Sequence, residues 1–275
     1  MGPKYEFTDE TKNYDGHTLH RIRRIEDGKL GGWIEKEENL SQEGSCWISD
    51  DSIVYDDAKV YDNAQVYDNA HVYGRAKVYD NAIVCATVHG DAQVYGDAKV
   101  YEYAWVDGSA QVYGNAKVFG HAYISEEAQI YGNAKAYDNA GIHNYVKVYD
   151  DACIWEYSTI HGWAEVHGHA DVFEAARIGG EAEVYGYTKI YGNVRISGHA
   201  KVYGEARIAG DALVYDNAKI YDAANIWGKT EVYDNAEIYD NAWVDGRTKI
   251  YGNVQIHGNA KVANTELYGD DDITF

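Results

Sequence analysis

Two histidines, His143 and His161, stand eighteen residues apart, and Tyr145 and Trp163 follow them two positions later. Trp105, Tyr123, Arg177 and Arg195 fall on the same eighteen-residue grid. Imidazoles on neighbouring turns of a chain can share a metal ion or an anion, guanidinium groups hold carboxylate or phosphate, and indole and phenol rings offer flat faces to a ligand. These eight residues form the candidate ligand-binding set. The competing reading is sequence drift on a solvated face. Two histidines do not complete a metal site, so no metal, no cofactor and no catalytic residue is assigned.

The interval itself says what would bring them together. Eighteen is three times six, and six is the period of most of the chain: residues 58–81 read AKVYDN AQVYDN AHVYGR AKVYDN. Such a period marks a solenoid rather than a globular core. Indexed on its aliphatic residue, the repeat runs from Ile48 to Val84 and loses two turn residues in Val84-Cys85-Ala86-Thr87-Val88. It then keeps register to Val262, for 37 hexads in all. The indexed residue is a branched aliphatic everywhere except Ala136, and a small residue, mostly Ala, stands two places earlier. Residues two apart on a strand point the same way, so this pair faces inward. Asp-Asn, Gly-Asn or Gly-Asp follows, the residues that tolerate the left-handed backbone of a tight corner.

Three strands and three corners close a triangular turn. The pattern resembles the hexapeptide-repeat family of left-handed parallel β-helices. That resemblance implies an all-β triangular solenoid of about 12 coils, ~58 Å long at ~4.8 Å per coil. Residues 1–45 lie outside the hexads. Tyr5-Glu6-Phe7 alternates, Asp15-Gly16 signals a hairpin, and Thr18 to Ile25 alternates again, which reads as a small β-rich N-terminal cap on the helix formed by 46–275. With Leu30-Gly31-Gly32-Trp33-Ile34, the chain is also similar to hexapeptide-repeat proteins of phages and prophages, commonly labelled transferases.

Assigning hexads to three faces separates their outward rows. One face carries a tyrosine ladder including Tyr61, Tyr79 and Tyr95, which aromatic pairing on adjacent strands explains. A second places Phe119, Tyr137, Trp155 and Phe173 on consecutive turns, an apolar row expected to serve as an interface. Self-association into a trimer or dimer is the expectation, with a host protein or a small molecule as alternative partners. The third face departs most from the repeat and, with its following corner, carries the eight candidate residues.

Forty-five acidic against 24 basic residues leave a net charge of −21, which argues against a phosphate-backbone or anionic-membrane partner. No apolar run is long enough for a membrane helix and no signal-type stretch follows Met1, so a cytoplasmic location is expected. The inward positions from Val54 to Val262 hold no charged residue or histidine, so any chemistry lies on an outer face where water is hard to exclude. The resemblance implies trimeric acyltransferases using acyl-CoA donors, yet no corner after Val88 is lengthened into the loop that many of them carry. The reading is therefore a non-catalytic β-solenoid binding or structural protein of phage or prophage type. An acyltransferase is the alternative, and an acidic DNA mimic the third.

Overall fold

The computed structural model describes residues 2–274. The chain forms two compact units, Met1–Gly132 and Asn133–Phe275. Together they hold about 13 turns of an all-β parallel solenoid, close to the number that the hexads imply.

The first unit opens with an antiparallel hairpin, β1 (Tyr5–Tyr14) and β2 (His17–Arg24). Its turn is Asp15-Gly16, both residues at positive φ, the backbone that a two-residue hairpin requires. A third strand, β3 (Leu30–Ile34), pairs antiparallel to β2 on one edge and parallel to Ile53–Val54 on the other. It is the element where cap becomes solenoid. Parallel pairing thus begins at Trp33 and continues through a bridge between Leu40 and Val60, whereas the hexad frame is first legible at Ile48. The glycines of β3 are there for space: a Cβ on Gly31 would lie 2.6 Å from Ile22 Cγ1, and one on Gly32 would meet Ile48 Cγ2. Leu19 packs with Trp33, Ile53 and Tyr55, so the hairpin covers the open end of the first turn. Asn39 is fully buried and fully used. Its amide donates to the carbonyls of Asp56 and Ala58 and accepts from the N–H of Lys36.

Beyond the cap, two-residue strands pair with those one turn later, as in Lys59–Val60 with Lys77–Val78 and Gln93–Val94 with Gln111–Val112. The Val residues and the preceding Ala residues are buried. Each buried Val contributes roughly 1.5–3 kcal/mol. Corners are left-handed at their first residue, with φ of 57° at Asp62 and 55° at Asp80. The aspartates also hold the next turn, since Asp80 Oδ2 accepts the Gly96 N–H at 3.1 Å. This explains why acids recur at corners without a ligand.

The second unit repeats the architecture from Lys135–Ala136 onward. Its core is aliphatic, and most of its few hydroxyls donate to a corner carbonyl: Ser158 Oγ donates to Trp155 O and Thr230 Oγ1 to Trp227 O, both at 2.7 Å, while the buried Thr188 hydroxyl meets no partner among the described residues. The solenoid runs past Val262, where the legible repeat stops. Glu266–Leu267 pairs with Lys249–Ile250, and Asp272–Thr274 pairs with Gln255–His257. Among the described residues the one helical element is the short 3₁₀ turn Glu37–Asn39, and no helix is long and apolar enough to cross a membrane.

Candidate functional site

The eight candidates divide between the units. Trp105 and Tyr123 belong to the first, paired side by side on one face. The Trp105 indole N–H donates to His89 Nε2 at 2.6 Å, which leaves the proton of that imidazole on Nδ1, facing Asp107 Oδ1 at 3.3 Å. Tyr123 donates to the other oxygen of Asp107. The two rings are therefore anchored at their polar edges while their bodies stay exposed.

The other six lie in the second unit. His143 and His161 stack with ring centroids 5.8 Å apart. The His161 ring leans over Gly179, where any side chain would collide with it. Burial pushes the His161 pKa down, and His143 and Arg177 add to the effect, so this imidazole is neutral at pH 7. Among the described residues the pair is not joined by a third ligand, and the sole cluster of three or more metal-ligating side chains is elsewhere, at His17, Glu35 and Asp56. On the adjoining corner Tyr145 and Trp163 stack at 5.1 Å, nearly parallel, with Trp163 61% exposed. Trp163 also borders an open depression with Glu165, Glu181 and Glu183.

Arg177 and Arg195 are paired in register on adjacent turns and both are exposed. Neither guanidinium group has a carboxylate or hydrogen-bond partner among the described residues. Elsewhere in this unit Lys147 bonds Glu165 and Lys219 bonds Glu237, both at 2.8 Å across neighbouring turns, whereas Lys189 and Arg207, also in register, meet no carboxylate among the described residues. On a chain of net charge −21, these two adjacent guanidinium groups stand without a carboxylate at salt-bridge distance.

The apolar row is less open than its composition suggests. Phe119 lies in the first unit and stacks on Tyr101 at 4.9 Å. In the second unit Tyr137, Trp155, Phe173 and Tyr191 form one continuous stack, with Trp155 and Phe173 4.7 Å apart. The Trp155 indole N–H donates to Asp171. All four interface candidates are half-buried, because the ring faces are spent on one another and the edges remain. Tyr103, Tyr157, Tyr187 and Trp163, all at corners, are far more exposed. The tyrosine ladder behaves alike, with Tyr61, Tyr79, Tyr95 and Tyr113 stacked at 4.8–4.9 Å.

Two features escaped the residue patterns. The cluster of His17, Glu35 and Asp56 joins a hairpin, a strand end and a corner, and nothing in sequence spacing links them. The notch at the shortened corner, beside Cys85 and Ala86, did leave a trace, the single loss of register. No family model matches this chain, and no curated protein is similar enough to match it.

Proposed function

We propose that this chain is a non-catalytic binding protein whose second unit holds an anionic group on its irregular outer face. Arg177 and Arg195 supply the charge, His161 and Thr159 flank them, and the Tyr145–Trp163 corner offers a ring surface to the rest of the ligand. The observation that carries the reading is two exposed guanidinium groups in register on adjacent turns, with no carboxylate at salt-bridge distance, on the face that departs most from the repeat. Like charges on neighbouring strands repel, by up to ~1 kcal/mol relative to a neutral pair, and an anion between them removes that cost. The absence of charged or imidazole groups from the core fits binding rather than catalysis. The resemblance to phage-type repeat proteins fits a partner or ligand from the host.

Titration calorimetry with inorganic pyrophosphate and with citrate tests this. Saturable binding that weakens with added salt and disappears in Arg177→Gln/Arg195→Gln is the expected result. Absence of binding to either anion, or equal binding by the double variant, overturns it. Both arginines are exposed, so the substitutions leave the fold intact.

A further inference from the structure

The first unit contains a second site, created by what its chain leaves out. Every ordinary corner of that unit passes its hydrogen bonds to the corner one turn later. Asn63 N–H donates to Asp80 O, and Tyr103 N–H to Gly120 O, at 2.8 and 2.9 Å. The corner carboxylate or its equivalent receives the next turn's N–H, as Glu102 does from Gly120 at 2.8 Å. At Cys85-Ala86 the two corner residues are missing. The strands on either side keep register, with Thr87 paired to both His71 and Trp105. The turn below therefore ends at Asp68-Asn69, the turn above resumes at Glu102-Tyr103, and between them opens a notch of about 590 Å³ floored by Cys85, Ala86 and Thr87.

The edges of this notch are unmet halves of the ladder. Among the described residues the Asn69 N–H has no acceptor and the Glu102 carbonyl no donor. The Asp68 carboxylate and the Glu102 N–H are in the same condition. One missing turn separates the Asn69 nitrogen from the Glu102 oxygen by roughly 7.7 Å, a normal hydrogen bond plus one ~4.8 Å coil step. A secondary amide, about 2.3 Å from oxygen to nitrogen, with a hydrogen bond at each end spans about 8 Å. An amide is what the intact corner would have put there. Beside it, Tyr103 is stacked on His121 at 5.0 Å on its upper side, and with 76% of its surface exposed its lower face is open. Rings in this unit stack at that same interval, so the notch has the height for one more flat group.

We infer that the notch binds an extended peptide segment, placing one backbone amide between Asn69 and Glu102 and an aromatic side chain under Tyr103. The peptide carbonyl accepts from the Asn69 N–H and its N–H donates to the Glu102 carbonyl, so the bound segment restores the deleted rung. Asp68 adds a carboxylate that accepts a further N–H, and it favours peptides without an acidic neighbour.

The test uses the full ¹⁵N-labelled chain and the probe N-acetyl-L-tyrosine methylamide. Saturable shifts of the Asn69, Glu102 and Tyr103 amide signals are expected. The probe methylated at both amide nitrogens should bind at least about tenfold more weakly, and p-cresol, a ring without an amide, should not saturate. Inserting Asp-Asn between Cys85 and Ala86 restores the regular corner and should abolish binding while leaving the melting temperature unchanged or higher. Tyr103→Ala, at an exposed position, should weaken binding without unfolding the chain. No saturable shift at these three residues overturns the inference. So does equal binding of the methylated probe or of p-cresol, and so does undiminished binding by the insertion variant.

Discussion

His17 Nδ1 and Glu35 Oε1 are 2.9 Å apart, and this bond ties the cap hairpin to the first parallel turn. Glu35 uses its second oxygen to accept the Asp56 N–H at 2.7 Å, while His17 Nε2 faces Asp56 Oδ1 at 3.6 Å. Cap, strand end and corner are thus held by one exchange of charge.

The hydrogen bond to Glu35 raises the His17 pKa above its ordinary 6.5, against a smaller opposing effect of burial. For Glu35, burial alone would raise the carboxyl, but the bonds from His17 and from Asp56 outweigh it and hold the pKa below 4.5. The histidine's contribution to stability is complete below the unfolded pKa and is lost as pH rises through the folded one. The carboxylate's is complete above 4.5 and lost as pH falls through its folded value. The difference in melting temperature between wild type and His17→Ala should therefore be largest between these limits and shrink as pH is raised past the folded His17 pKa. A difference independent of pH would show that the clasp is not a charge pair.

Val112 is fully buried and Lys117 exposed, five residues away on the next strand. Val112→Asp should destabilise the first unit by about 3–5 kcal/mol, because an unpaired charge enters a dry core. Lys117→Asp should change stability by less than about 0.5 kcal/mol. Thermal melts of the two variants check the inward register directly.

An acyltransferase would consume acetyl-CoA. The chain is expected to release no free thiol from acetyl-CoA above the background rate, with or without amine or hydroxyl acceptors. A thiol-release assay decides, and steady turnover abolished in Arg177→Gln/Arg195→Gln would favour the enzyme over the binder.

Self-association is expected through the edges of the apolar rings. Light scattering should give a dimer or trimer for the wild type and a monomer for Phe119→Ser/Trp155→Ser/Phe173→Ser. Since the ring faces are already stacked within the chain, each edge has only part of the ~1.5–3 kcal/mol of a fully buried ring to offer. A monomeric wild type at tens of micromolar concentration would exclude this row as a self-association surface.

The hexad frame by itself determined the coil, the inward register and the place where a corner is lost, because a strand's period of two and a corner's need for left-handed backbone are local constraints. Ala58 and Val60 face the core for the same reason that Asp62 turns the corner. The boundaries were not local. Leu30 to Leu40 shows no hexad pattern, yet Ile34 and Leu40 join the first turn because β3 pairs antiparallel with the hairpin on one edge and parallel with the next turn on the other. Leu267 and Ile273 likewise extend the last one. Which side chains find partners was decided only in three dimensions. Spacing placed Arg177 beside Arg195 and His143 beside His161, but that no carboxylate comes within salt-bridge distance of the arginines depends on how every neighbouring turn aims its acids. Likewise the deletion at Cys85-Ala86 reads in sequence as two absent letters. It becomes a notch with unmet hydrogen bonds only because hydrogen bonding and close packing hold the strands on both sides in register.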